Sequence, residues 1–367
     1  MASSVLTLTS PYSCYVNLTN NCNLRCLHCL GDYSVKLSSE LNLDDWKKVF
    51  DELIKNNVFY VNISGGEPTT HPQFSDLLDY LSNIGLHFIL TTNGIFSKNI
   101  RDAILRNKEY LIGVKISLDG YDAKSHCFLR RLPGNVIDPN IFKITLHNIL
   151  FFKRKKIPIT VATVIHSANV DNFDRFIALI KMINPVSWFI CPIIPSGRGN
   201  FNAQIKENYY YHNKSFWKAL VKKCNKKRIN VKLLDLPFDM SSSKRIDYYE
   251  CGAAITFCEI NADGIVSPCT LCRTCIPPKF MKFESLKRKS FQEIWNGKVF
   301  NKFRDLMKTG CNGCKAFNKC TKCIAQSFRY FENGHSPTPY CIKNAGALGL
   351  KNVREYKKKL NNQGIKL

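Results

Sequence analysis

The stretch Asn20–Cys29, NNCNLRCLHC, sets Cys22, Cys26 and Cys29 in a C-x3-C-x2-C spacing directly after the β-branched and aromatic run Tyr12–Leu18. Three thiolates are one short of the four that a four-iron cluster takes, so one metal position stays open. An open coordination position separates a reactive metal site from a structural one. The spacing alone also suits a structural zinc ion with His28 as fourth ligand, because Cys and His are common zinc ligands.

Beyond this stretch, short β-branched and aromatic runs alternate with amphipathic segments as far as about Pro195, the pattern of successive strand–helix units. Six strands are predicted, at Tyr12–Leu18, Phe59–Ser64, Leu86–Thr92, Leu111–Leu118, Ile159–Ile165 and Ser187–Ile194. Trp46, Val49, Phe50, Leu53 and Ile54 recur at helical spacing between the first two, as do Phe74, Leu77, Leu78 and Leu81 between the next two; both stripes read as core faces. Repeated strand–helix units cross over right-handed and can curl into a barrel, whose functional residues lie at the C-terminal strand ends.

The chain has 367 residues, 45% of them hydrophobic and 12% aromatic, enough for a substantial core in one large or two medium domains. Its longest apolar stretches, such as Val186–Pro195, fall well short of the roughly 20 residues of a membrane span, and no export signal opens the sequence, so a cytoplasmic protein with no membrane partner is expected. Seventeen cysteines in such a chain argue for metal binding rather than disulfides. The net charge of +25 attracts phosphates or an acidic peptide alike. Its lysines are scattered, and clusters such as Lys153–Lys156 and Lys222–Arg228 read as solvated helix faces, which disfavours a nucleic-acid partner.

Residues 202–245 change character, with a polar run, a helix near Phe216–Cys224 and the extended stretch Asn230–Leu236; they are expected to form a linker between a domain at 12–201 and another at 246–345, with a basic tail at 346–367. Most of the cysteines lie between Cys251 and Cys341. That density suggests a unit organised around metal. Asp263-Gly264 marks a hairpin turn within it, and Cys311, Cys314, Cys320 and Cys323 form two C-x2-C pairs that suit zinc or iron–sulfur ligation.

The first cysteine triplet resembles the signature of the radical S-adenosylmethionine (SAM) superfamily. Gly65-Gly66-Glu67-Pro68, Thr92-Asn93-Gly94, Ser117-Leu118-Asp119-Gly120 and Gly197-Arg198-Gly199, each after a predicted strand, strengthen the resemblance. It implies an α/β fold, a partial (β/α)6 TIM-type barrel, and an open iron chelated by the amino and carboxylate groups of SAM. By the same resemblance Gly65, Gly66, Glu67 and Pro68 approach the SAM amino group, the glycines letting backbone come close to the ligand. Thr92, Asn93, Ser117 and Asp119 belong to the SAM site, Arg130 lies near the SAM carboxylate, and Asn169 lies near the adenosine. The chain departs from the family's commoner pattern at Cys127 and Arg131, where relatives often carry Asp and Gly. Cys127, and Cys191 near the end of the sixth strand, are candidate catalytic residues, although a lone cysteine is most often a small buried side chain.

The C-terminal order of cysteines resembles the SPASM extension of radical SAM enzymes, which holds two auxiliary four-iron clusters. That resemblance assigns Cys251, Cys258, Cys269 and Cys323 to the first and Cys311, Cys314, Cys320 and Cys341 to the second. Cys272 and Cys275 compete with Cys258. Three [4Fe-4S] clusters and SAM are therefore the implied cofactors. The implied reaction is reductive cleavage of SAM to a 5′-deoxyadenosyl radical, hydrogen abstraction from substrate, and electron transfer to the auxiliary clusters. The implied substrate is a side chain of a ribosomally made peptide or protein, crosslinked or oxidised. The implied partner is an electron donor such as flavodoxin or ferredoxin; with eleven residues before the first strand, leader recognition is expected to need a separate leader-peptide-binding protein or another surface. Formylglycine formation in a sulfatase and modification of a porphyrin or other small cofactor are the alternative reactions, and a basic zinc protein binding nucleic acid is the alternative outside enzymes.

Overall fold

The structure, a computed structural model, describes residues 8–170, 172–194, 196–200, 214–234, 251–309 and 323–335. Each predicted strand is present, with bounds within two residues: β1 Ser13–Asn17, β2 Tyr60–Ser64, β3 His87–Thr92, β4 Leu111–Ser117, β5 Ile159–Ile165 and β6 Ser187–Pro192. They lie side by side in chain order, every neighbouring pair parallel. Period-two alternation sets the two faces. On β5, Ile159, Val161, Thr163 and Ile165 are buried against the helices while Thr160, Ala162 and Val164 are half-buried on the inner face.

The connecting helices are α1 Leu43–Lys55, α2 Phe74–Asn83, α3 Lys98–Arg106, α4 Ala123–Leu129, α5 Asn140–Arg154, α6 Ser167–Val170 and α7 Phe173–Ile183. Helix α1 starts at a capping box in which Asn42 and Asp45 each accept from the other's backbone N–H. Trp46, Val49, Phe50 and Leu53 bury its predicted stripe, but Ile54 at the stripe's edge remains 38% exposed. The core between helices and sheet is aromatic: Trp188 stacks on Phe173 at 5.4 Å, and its indole N–H donates to Thr163 Oγ1 at 2.8 Å.

The sheet extends past the six strands at both edges. The stretch expected as linker supplies α8, Lys214–Lys226, and β7, Val231–Leu233, which pairs parallel with β6. At the other edge β8, Phe257–Ile260, pairs parallel with β1, and β9, Ile265–Ser267, returns antiparallel through the predicted Asp263-Gly264 turn, where Gly264 takes φ +81°. The short β10, Glu284–Ser285, completes one open ten-stranded sheet. Among the described residues the helices that follow are α9 Thr270–Cys275, α10 Phe291–Trp295, α11 Lys298–Thr309 and α12 Ile324–Phe331. Among the described residues no helix is long and apolar enough to cross a membrane.

Candidate active site

A cavity of about 330 Å³ opens at the C-terminal ends of the parallel strands, within the size range of small-ligand sites. Cys22, Cys26 and Cys29 all line it, opposite Glu67, Ser117, Arg130 and Cys191.

The cysteine loop is held from several sides. Arg25 and Leu27 donate their backbone N–H groups to Arg131 O, just past α4, and Leu129 O, at its end, at 2.6 and 2.8 Å. Arg198 laces the other flank. Its backbone N–H reaches Cys29 O at 3.0 Å, and its guanidinium donates to Cys26 O at 2.9 Å, Asp32 Oδ1 at 2.6 Å and Tyr33 O at 3.0 Å. Gly197 permits this docking, because its φ is +52° and a Cβ there would lie 2.3 Å from Cys29 O. Arg198 sits inside a motif read from the sequence, yet its role shows only once the turn is folded onto the loop.

Burial, reinforced by neighbouring thiols, pushes Cys22 up to about 12, and burial opposed by Arg130 pushes Cys26 up to about 11. Grouped, buried thiols of this kind become thiolates when a metal offsets their charge. His28 turns its Nε2 to Asp119, at 3.6 Å. The donor set suits a cluster in which each thiolate holds its own iron.

Gly65 and Gly66 make a close approach, but to the chain itself. A Cβ on Gly65, at φ +134°, would lie 2.5 Å from Thr19 O, and one on Gly66 would lie 2.2 Å from Asn21 O. The glycines thus seat the end of β2 against the start of the cysteine loop, beside their place on the cavity wall. Glu67 is buried, and its carboxylate accepts from Thr69 N and Oγ1, Thr92 Oγ1 and Asn93 N at 2.7–3.3 Å. Asn93 also donates to Asn23 Oδ1 at 2.7 Å, tying the end of β3 to the loop.

Behind the cavity wall Asp119 acts as a hub. Its carboxylate accepts from Arg130 Nε at 2.7 Å and Val164 N at 2.8 Å, and its carbonyl accepts from Asn169 Nδ2 at 2.9 Å. Burial works against the charged form, but Arg130, His28, His126 and the Val164 N–H outweigh it and hold Asp119 at about 2. Asn169 donates again to Val164 O and accepts from His166 N, so it closes the end of β5. Of the expected SAM residues, Gly65, Gly66, Glu67, Thr92, Asn93, Ser117 and Arg130 meet on the cavity. Pro68, Asp119 and Asn169 stand in the supporting layer.

Cys191 faces the cavity. Cys127 does not: it packs against Leu24 and Ile141 and donates to Asp138 O at 3.2 Å. The wall also includes Tyr15, Tyr33, Lys115 and Thr270, which the sequence reading missed. Lys115 lies between the rings of Tyr15 and Phe189, at 5.9 and 5.2 Å. Its parity with Ser117 on β4 was the available signal.

In the C-terminal region, burial and then the neighbouring Cys269, Cys251 and Cys275 raise the Cys323 thiol, so the expected ligands Cys251, Cys269 and Cys323 share one neighbourhood with Cys275. Cys258 is elsewhere. Its Sγ lies 3.6 Å from Cys14 Sγ in the core. Cys311, Cys314, Cys320 and Cys341 lie outside the described residues.

Residues 16–180 match the radical SAM superfamily, and residues 251–324 match the SPASM iron–sulfur cluster-binding domain. The chain is a radical SAM enzyme with a SPASM domain. This radical SAM–SPASM enzyme is 29% identical over 355 residues to mycofactocin maturase MftC of Mycolicibacterium smegmatis, covering 95% of this chain and 86% of that one. It is 26% identical over 353 residues to the AdoMet-dependent heme synthase of Methanosarcina barkeri, covering 90% and 95%. Its fold matches that of SAM-bound SuiB from Streptococcus suis with a TM-score of 0.69 at 16% identity, over 90% of this chain and 77% of that one. The family's cofactors are SAM and iron–sulfur clusters, and the thiols and polar wall of the cavity fit them.

Proposed function

We propose that this radical SAM–SPASM enzyme oxidatively modifies or crosslinks a side chain of a ribosomally made peptide. The observation that carries the reading is that one cavity joins both redox regions: Thr270, adjacent to Cys269, lines the same wall as Cys22, Cys26 and Cys29. A substrate seated there has an electron acceptor beside it, which suits a reaction that removes two electrons. The similarity to a mycofactocin maturase favours a peptide substrate.

When bound, the first cluster and SAM supply a one-electron cleavage that yields a hydrogen-abstracting carbon radical. The chain's residues position and shield. Cys22, Cys26 and Cys29 hold the cluster; Glu67 fixes the loop after β2 that faces the SAM amino group; Ser117 and Arg130 line the side facing its ribose and carboxylate. Asp119 and Asn169 orient that wall from behind. Two auxiliary clusters, for three in all, would be held by the C-terminal cysteines and would supply an acceptor for the substrate's electron, with a flavodoxin or ferredoxin as the donor to the first cluster. Leader recognition falls to a separate protein or to another surface of this chain, in the cytoplasm. The unit boundaries are 12–201, 202–245, 246–345 and 346–367.

The test is anaerobic incubation of the reconstituted enzyme with SAM, a low-potential reductant and short peptides encoded beside its gene. The expected result is stoichiometric 5′-deoxyadenosine and a peptide lighter by two hydrogens. Deoxyadenosine formation without change in any such peptide overturns the peptide reading. The similarity to a heme synthase supports a second reading, in which the substrate is a porphyrin; turnover of a porphyrin precursor in the same assay selects it.

A further inference from the structure

Cys258 and Cys269 lie close in sequence and face opposite sides of the sheet. On β8 the side chains alternate. Cys258 and Ile260 join Cys14 and Val16 on the helix-covered side, in register Cys14↔Cys258 and Val16↔Ile260, and all four are fully buried. Glu259 points the other way, accepting from Asn17 Nδ2 at 2.8 Å and Ser267 Oγ at 3.2 Å. Cys269 follows Ser267 by two residues on that second side, and Glu259 acts electrostatically on both Cys269 and Cys272.

The second side carries Cys251, Cys269, Cys272, Cys275 and Cys323. Cys269 is the N-cap of α9, so Cys272 and Cys275 recur three residues apart along one helix face. Cys272 Sγ is 3.4 Å from Cys269 Sγ. Cys323 is the N-cap of α12, and Cys272 lies within its electrostatic reach. Cys275 also lies within electrostatic reach of Cys323, but its sulfur meets Thr274 Oγ1 at 3.7 Å, Ser196 Oγ at 3.8 Å and Arg329 Nη1 at 4.0 Å rather than a second thiol.

We propose that helix α9 supplies the missing thiolate, so that the auxiliary cluster next to the radical cavity is held by Cys251, Cys269, Cys272 and Cys323, with Cys258 a core residue. This rests on the reading of the C-terminal region as cluster-binding. A four-iron cluster takes four thiolates, and this set fills every position, leaving no iron open to substrate. The cluster then serves electron transfer rather than substrate binding.

The test compares Cys258→Ala, Cys272→Ala and Cys275→Ala in the full chain, reconstituted anaerobically. The readouts are iron and sulfide per chain and the electron paramagnetic resonance spectrum of the reduced protein, with melting temperature as a check on folding and Cys272→Ser as a second, near-isosteric variant. The expected result is that both Cys272 variants lose roughly four irons or keep a cluster whose spectrum shifts on adding β-mercaptoethanol, whereas Cys258→Ala and Cys275→Ala match the parent. Parent-like iron and spectrum in the Cys272 variants overturn the assignment, as does iron loss in Cys258→Ala or Cys275→Ala. A different failure separates the underlying reading: if the parent's iron disappears entirely on removing Cys22, Cys26 and Cys29, the C-terminal region binds no cluster at all.

Discussion

Arg130 and Asp119 form an ion pair within the barrel, Nε to Oδ2 at 2.7 Å, and the far end of the same guanidinium reaches to 4.0 Å from Cys26 Sγ. Both residues are buried, at 7% and 0% exposure. Removing one partner leaves an uncompensated buried charge, which costs about 3–5 kcal/mol. Asp119→Asn is therefore expected to lower the melting temperature by several degrees and to weaken cluster retention. An unchanged melting curve contradicts this account. Arg130→Lys keeps the charge but loses the planar fork, and its expected effect is weaker SAM binding by about tenfold, equal to about 1.4 kcal/mol, measured by equilibrium dialysis.

Cys26→Ala is expected to abolish formation of 5′-deoxyadenosine and to remove roughly four irons per chain. Deoxyadenosine appearing at the parent's rate refutes the assignment of Cys22, Cys26 and Cys29 as the SAM-cleaving site.

Glu67 accepts four hydrogen bonds from buried donors. In Glu67→Gln the new amide NH₂ must face some of those donors, leaving buried groups unsatisfied at about 1–3 kcal/mol each. SAM affinity is expected to fall about tenfold or more. Glu67→Gln that binds SAM like the parent shows that the loop after β2 does not shape the site.

Gly197→Ala is expected to disturb the cysteine loop without touching a ligand. The backbone there is left-handed and a Cβ would meet Cys29 O at 2.3 Å, a strain on the order of 1–3 kcal/mol. The reading is iron retained after gel filtration, which is expected to drop, while secondary structure by circular dichroism stays at the parent's level.

Cys314→Ala is expected to uncouple the reaction, producing deoxyadenosine with little modified substrate. Full product yield from this variant makes the second auxiliary cluster dispensable.

The strand–helix array was readable because burial imposes periodicity, and β1 to β6 fall where the alternation put them. Motifs gave positions but not directions. Asp119 and Ser117 stand two residues apart in one quoted stretch, yet Ser117 faces the cavity and Asp119 turns behind it, drawn by Arg130 and the Val164 N–H. Arg198 was hidden by its own glycines, since the spacing marks a turn but not what that turn docks against. The core-facing direction of Cys258 was not read from cysteine order, although the alternation in Phe257-Cys258-Glu259-Ile260 carried the signal. The extended stretch at Asn230–Leu236 was readable, but not that its Val231–Leu233 joins the sheet beside β6, because three residues are too few for a period to show which faces they bury.

Strand β8 is zipped to β1, and β1 runs straight into Cys22. The spacing between the two redox regions is thus a ruler made of backbone hydrogen bonds, independent of how any surface loop moves. A chimaera that grafts the C-terminal half of a relative onto this barrel inherits that ruler only if the register Cys14↔Cys258 is kept. A slip of one residue would turn Cys258 toward the cavity and Glu259 into the core, silencing electron transfer in a protein with every ligand still in its sequence.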